Sequence, residues 1–161
     1  MEKIKTLVEL LLAAFDVNHP EEIIGNCIKA YTDTETFIAE NDLSWLPDHS
    51  PTAVLNFALP GEITHWMVYG DKIDELHARL AEQLEDDFPG FPQEKKFTSP
   101  EYFTWLDEQL LANENELELM EVGNSFSDEW QVLFVRRENS SSILELATAL
   151  NIHCARTVDL L

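Results

Sequence analysis

Glycine is scarce in this sequence, with only five among 161 residues. None of the five belongs to a phosphate-binding pattern such as Gly-x-Gly-x-x-Gly or a loop ending in Gly-Lys-Ser. The Gly-x-Ser-x-Gly turn that exposes a nucleophilic serine is also missing. The sequence therefore predicts no catalytic residues, and no cofactor is expected.

Cysteine is nearly as rare, because Cys27 and Cys154 are the only two. Zinc and redox motifs place cysteines a few residues apart, which these two are not. The five histidines are scattered without the spacing of metal ligands, so no metal site is predicted. We expect two reduced, buried thiols, as in cytoplasmic proteins. A single long-range disulfide between them stays open as an alternative.

Long apolar runs are absent, and no stretch would span a bilayer. Lys3 and Lys5 precede a leucine-rich segment that has some features of a signal peptide. Glu9 interrupts that segment, however, and its apolar residues recur at helical spacing. The N-terminus is therefore predicted to be an amphipathic helix over residues 2–16, and the chain is predicted to be cytoplasmic.

Positive charge is the remaining scarcity: 10 Lys and Arg stand against 31 Asp and Glu, for a net charge of -21. Such a field repels phosphate backbones and anionic lipids, so neither nucleic acid nor a membrane is an expected partner. No Lys or Arg occurs between Lys96 and Arg136, and residues 101–135 hold nine acids. A field of one sign attracts and orients a basic partner. This segment is therefore predicted to bind a basic protein.

A loop bracketed by prolines adds two aromatic rings to that prediction. Exposed aromatic side chains can anchor a partner, although the same rings could instead pin the loop to the core. The predicted partner-binding residues are Asp107, Glu108, Glu114, Glu116, Glu118, Glu121, Asp128, Glu129, Phe88 and Phe91.

The first 59 residues are predicted to be the helical part of a single domain covering residues 1–161. The helix over 2–16 is followed by a second that begins at Pro20, where proline suits the first helical position. That second helix is expected to break or bend at residues 32–34. A short helix over 51–58 follows, capped by Ser50 and ended by Pro60 and Gly61.

Residues 63–161 are predicted to be an α+β part. The pattern gives a strand over 63–69 that is apolar on both sides, hence central in its sheet. Helices over 72–85 and 99–111 follow, then a hairpin of strands 116–122 and 130–135 with a bulge at Met120–Glu121. A helix over 143–150 and a strand over 152–158 end the chain. This order matches a ferredoxin-like, split βαβ antiparallel sheet of three to four strands with one additional helix.

The segment from Ile63 onward resembles a bacterial domain family of unknown function. The residues that carry the resemblance are Trp66 on a strand, Asp71 before a helix, and Leu133-Phe134-Val135-Arg136 ahead of a leucine-rich last helix. In size and acidity the chain is also similar to immunity proteins and to inhibitors that mimic DNA. The resemblance implies a small acidic α+β protein and no particular activity.

The function predicted from these features is non-catalytic binding of a basic protein, as by an inhibitor or immunity-type protein. One alternative is an enzyme or small-ligand binder with a pocket near His65, Trp66 and Tyr69. Another is an acidic housekeeping domain whose charge serves solubility alone. The oligomeric state stays open.

Overall fold

A computed structural model describes residues 1–84, 88–92, 96–123 and 128–160 of the chain. These residues form seven α-helices and one four-stranded antiparallel sheet, which confirms the predicted α+β class with helices ahead of the strands. In chain order the elements are α1 (Glu2–Leu11), α2 (Pro20–Thr32), α3 (Thr34–Glu40), α4 (Pro51–Glu62), β1 (Val68–Gly70), α5 (Ile73–Leu84), α6 (Ser99–Ala112), β2 (Leu117–Val122), β3 (Trp130–Arg136), α7 (Ser140–Leu150) and β4 (Cys154–Arg156).

The N-terminal helices follow the apolar spacing of the sequence. In α1 the buried side chains recur every three or four residues, as an amphipathic helix requires. The helix ends at Leu11, five residues before the predicted end. Pro20 begins α2, and Asp33 separates α2 from α3, as the predicted break at residues 32–34 indicated.

The segment around Pro60 differs from its prediction. Helix α4, capped by Ser50, continues through Pro60 to Glu62, and β1 is limited to Val68–Gly70. The predicted strand over 63–69 is therefore wrong in its first five residues. Residues 63–66 instead form turns, in which the Trp66 N–H donates to the Ile63 carbonyl at 3.0 Å and the Met67 N–H to the Thr64 carbonyl at 3.2 Å. Ile63 belongs to the core as the residue that caps α4.

The strands are ordered β1-β3-β2-β4, and all neighbours are antiparallel. Strand β1 therefore lies at an edge of the sheet, and the prediction that it is central is wrong. Because β1 and β2 both pair with β3, they run parallel to each other with β3 between them, which is the split βαβ arrangement. Strands β3 and β4 likewise both pair with β2, so they run parallel to each other with β2 between them. The β2–β3 register is constant from Leu117–Arg136 to Glu121–Val132, so the predicted bulge at Met120–Glu121 is wrong. Residues 124–127 of the predicted hairpin turn lie outside the described residues.

Helices cover both faces of the sheet. Alternate residues of β3 point to opposite sides, so Leu133 and Val135 pack with α1, α4 and α7, whereas Val132 and Phe134 pack with α5 and α6. A separate apolar cluster holds α2, α3 and α4 together. Strand β4 covers only the middle of the predicted strand over 152–158.

Both cysteines are free thiols in this fold. Cys27 of α2 is buried in one core cluster, and Cys154 packs against the same cluster from β4. Burial raises the pKa of each thiol to about 12, so both stay protonated at neutral pH. Within the described residues, none of the helices has the length and apolar character needed to cross a bilayer.

Candidate partner-binding surface

A cleft of about 820 Å³ opens beside the start of β2, and it gathers three of the predicted binding residues. Glu114 and Glu116 supply its acidic wall, and Phe88 with Pro89 supplies its aromatic wall. Arg136, at the end of β3, also lines the cleft. Negative charge and an aromatic side chain therefore share one concave surface.

The acidic wall is held by the turn that joins α6 to β2. The backbone N–H of Asn115 donates to the Leu110 carbonyl at 2.9 Å, and the Asn115 side-chain oxygen accepts from the Leu117 N–H at 2.9 Å. Glu114 takes a left-handed conformation at φ 56°. The backbone of the two exposed glutamates is thus fixed while their carboxylates face solvent.

The aromatic wall is held by a buried histidine. His77 Nε2 lies 2.8 Å from the Pro89 carbonyl, which can only accept, so Nε2 carries the hydrogen. Nδ1 therefore accepts from the Tyr102 hydroxyl at 2.8 Å. Burial lowers the pKa of His77, which keeps the ring neutral and this pattern intact near pH 7.

The rings of Phe88 and Phe91 both pack on His77, with centroids at 4.7 and 5.2 Å. Phe88 also meets Phe134 of the sheet at 6.2 Å, and Phe91 meets Tyr102 at 6.2 Å. Both rings are half-buried. They pin the loop to the core, the alternative that the sequence left open, while Phe88 additionally lines the cleft.

Arg136 connects the cleft to the N-terminal helices. Its Nε donates to the Ala13 carbonyl at 3.0 Å, and its Nη1 lies 3.7 Å from Glu116 Oε2. The Glu116 side chain is 84% exposed, so this ion pair is weak and easily replaced by another cation.

Two of the predicted surface acids belong to an ion-pair network instead. Glu118 is only 3% exposed, and Arg156 Nε donates to its Oε1 at 2.6 Å. Arg137 lies 3.8 Å from Glu118 and donates to Asp107 Oδ1 at 2.8 Å. The prediction that Glu118 is a surface residue is wrong, because the sheet buries it and two arginines from later in the chain neutralise it.

The other predicted acids are dispersed. Glu121 is paired with His153 at 2.6 Å, and Glu108 lies on the exposed side of α6 in a separate groove of about 400 Å³. Asp128 and Glu129 precede β3, at the opposite end of the hairpin from Glu114. The six residues of β2 span about 20 Å and separate the two ends of the hairpin, so Asp128 and Glu129 do not join the cleft.

A pocket of about 510 Å³ does exist where the small-ligand alternative placed one. Its lining includes His65, Trp66 and Tyr69, with Arg79 and Glu82 from α5. His65 and Glu82 are both exposed to solvent. Among the described residues that line this pocket, none is the buried acid or base that general acid–base catalysis uses.

Sequence reasoning missed two residues that shape the cleft. Arg136 is the first base after the acidic segment and directly follows the predicted strand 130–135. Because that strand was predicted to pair with strand 116–122 in a hairpin, its end could have been placed beside Glu116. His77 carried no such signal, because its partners Tyr102 and Pro89 are distant in sequence and only the fold brings them together.

Within the part of the chain that the structure describes, no group of three or more His, Cys, Asp or Glu side chains could hold a metal ion. Compared with known protein families, curated proteins and solved structures, the chain matches none of them. The resemblance to a bacterial domain family therefore stays a prediction.

Proposed function

We propose that this chain is a non-catalytic acidic protein that binds a basic protein partner, in the manner of an inhibitor or immunity-type protein. The observation that carries the proposal is the cleft lined both by an acidic wall, the exposed Glu114 and Glu116, and by an aromatic wall, Phe88 and Pro89. The partner would insert a lysine or arginine side chain between these walls.

Each part of the cleft has a separate role in this proposal. The net charge of -21 draws a cationic protein in and speeds its association. The incoming cation takes the place of Arg136 at Glu116, and because that exposed pair is weak, its loss costs little. Phe88 and Pro89, held by His77, supply rigid apolar contact area that slows dissociation.

The test compares two double charge reversals in a capture experiment from native lysate. Glu114→Lys with Glu116→Lys alters the cleft, whereas Glu35→Lys with Glu145→Lys alters exposed acids on α3 and α7. Each Glu→Lys substitution raises the net charge by two, so both double variants have a net charge of -17 instead of -21. We expect the parent and the control to enrich the same basic protein, and the cleft variant to lose it.

Equal capture by all three proteins would contradict the assignment of this cleft. Equal loss by both variants would show that overall charge, rather than the cleft, drives binding. If the parent enriches no basic protein, the acidic housekeeping alternative is favoured. Melting temperatures of the variants check that each one is folded.

A further inference from the structure

A second pocket lies among the N-terminal helices, remote in sequence from the acidic cleft. It has a volume of about 540 Å³, within the range of small-molecule sites. Helices α2, α3 and α4 each contribute to it. The residues that matter for its chemistry are Asn26, Lys29, Phe37, Glu40, Phe57 and Glu62.

The charges in this pocket are not balanced. Lys29 Nζ lies 2.6 Å from Glu40 Oε2, so the one cation among the described lining residues is already paired. Glu62, at the end of α4, has no cationic partner among the described residues, and its side-chain contact is a hydrogen bond from Asn26. One carboxylate in the lining is therefore left without a counter-charge.

Partial burial makes the ionised form of the Glu62 carboxylate energetically unfavourable. The pKa of Glu62 is raised, chiefly because its surroundings desolvate the charged form, and the Asn26 hydrogen bond only partly opposes this. The neighbouring Cys27 thiol has its own pKa raised by burial and by the charge on Glu62. A cation placed beside Glu62 would relieve the penalty, because an opposite charge favours the ionised carboxylate.

The apolar part of the lining suits an aromatic or aliphatic body. Phe37 and Phe57 both line the pocket, and Trp45 packs edge-on against Phe57 with ring centroids 5.3 Å apart. Aromatic faces also attract ammonium groups directly. We infer that this pocket is a binding site for a small organic amine, with its ammonium group on Glu62 and its apolar body against Phe37 and Phe57.

The test titrates phenethylamine, an ammonium group on an aromatic body, into the whole protein by calorimetry. 2-Phenylethanol, which has the same body without the charge, is the matched probe. We expect saturable binding of the amine and at least about tenfold weaker binding of the alcohol, the factor that corresponds to losing one favourable charge contact. Glu62→Gln should weaken amine binding by a similar factor, and Glu35→Gln on the exposed side of α3 should leave it unchanged.

Two further measurements test whether the variants act through the pocket rather than through a loss of folding. Glu62→Gln should melt no lower than the parent, since it removes a half-buried charge without a cationic partner. Gly61→Leu places a side chain at the pocket lining, where an added Cβ meets no atom within 4 Å, so it should block the amine while leaving Glu62 in place. Equal affinity for both probes, or unchanged binding by both variants, overturns the inference, as does failure of the amine to bind at about 10 mM.

A lysine of a protein partner carries the same ammonium group. Capture from lysate by Glu62→Gln separates the two sources. Undiminished capture supports a small amine as the occupant, and lost capture overturns it in favour of a partner's lysine. Because Glu62 is outside the cleft of Glu114 and Glu116, the two proposals can fail independently.

Discussion

Substitution of Glu118 is expected to destabilise the fold, although the residue lies in the most acidic segment of the sequence. Its carboxylate is 3% exposed and accepts from Arg156 Nε at 2.6 Å, with Arg137 at 3.8 Å. Glu116, two positions earlier, has an 84% exposed side chain and only a 3.7 Å pair with Arg136. The two positions, one just before β2 and one within it, therefore make a matched comparison.

The expected magnitudes follow from these contacts. Glu118→Gln keeps one acceptor oxygen for Arg156 but replaces the carboxylate by a neutral amide, so a hydrogen bond within an ion pair, of the class worth about 1.5–3 kcal/mol, keeps only its charged donor. It also leaves two guanidinium groups without their shared counter-charge. Arg137 and Arg156 are 24% and 34% exposed, so water offsets part of this loss. We expect a total of about 2 kcal/mol.

Charge reversal separates the positions further. Glu118→Lys buries an ammonium group beside two guanidinium groups and should cost more than about 4 kcal/mol, or prevent folding. Glu116→Lys changes a solvated side chain and should cost about 0–1 kcal/mol.

Urea unfolding followed by tryptophan fluorescence, with calorimetric melting as a second measurement, gives these free energies. For a domain of this size about 2 kcal/mol corresponds to a decrease of about 4–8 °C in melting temperature. If Glu118→Gln lies within about 0.5 kcal/mol of the parent, or if the two lysine variants unfold alike, Glu118 is solvated and the ion-pair network does not form in solution.

Two further predictions concern stability. Gly123 has φ 76°, and an added Cβ there would lie 2.3 Å from Pro60 Cγ. Gly123→Ala should therefore lower the free energy of unfolding, measured in urea, by about 2–5 kcal/mol. The control Gly25→Ala, whose Cβ meets no atom within 4 Å, should stabilise α2 by about 0.5–1 kcal/mol. A loss below about 1 kcal/mol at Gly123 would refute the close approach to Pro60. Because burial lowers the pKa of His77 in the folded state, the unfolded state takes up a proton first, and the free energy of unfolding should fall as the pH drops from about 6.5 toward the lower folded value. His77→Phe should flatten the pH dependence in that window, and an unchanged slope would count against a buried neutral imidazole.

Most helices could be predicted because their buried stripes are a local property of the sequence. The spacing of Ile4, Leu7 and Leu11 indicates α1 whatever the rest of the chain does. In the same way Pro20 marks the start of α2, and Thr98 begins α6 through a reciprocal capping pair with Glu101. Such signals involve side chains within one or two helical turns.

The end of α4 could not be predicted, because distant contacts decide it. Pro60 usually ends a helix, since it cannot donate a backbone hydrogen bond. Here it stays within α4 and packs closely against Gly123, from the far end of β2. Asn56 of the same helix accepts from the His153 N–H at 2.9 Å and donates to the Asn151 carbonyl at 2.9 Å. These contacts cross large sequence separations, so no local pattern shows them.

The candidate site was predictable in part for the same reason. Glu114 and Glu116 lie in a polar turn, which made their exposure foreseeable, and Phe88 was singled out by its prolines. Glu118 continues their every-second-residue spacing, yet it is 3% exposed and paired with Arg137, which follows β3, and with Arg156 of β4.

The sequence by itself determined the net charge of -21, the absence of bases between Lys96 and Arg136, and the succession of helices and strands. Only the tertiary structure decided which acids remain free. Antiparallel pairing carries Arg136 to Glu116, and Arg137 and Arg156 to Glu118, so bases from outside the acidic segment neutralise part of it. Charge pairing depends on distances in space of a few ångströms, which a linear count of charges cannot contain.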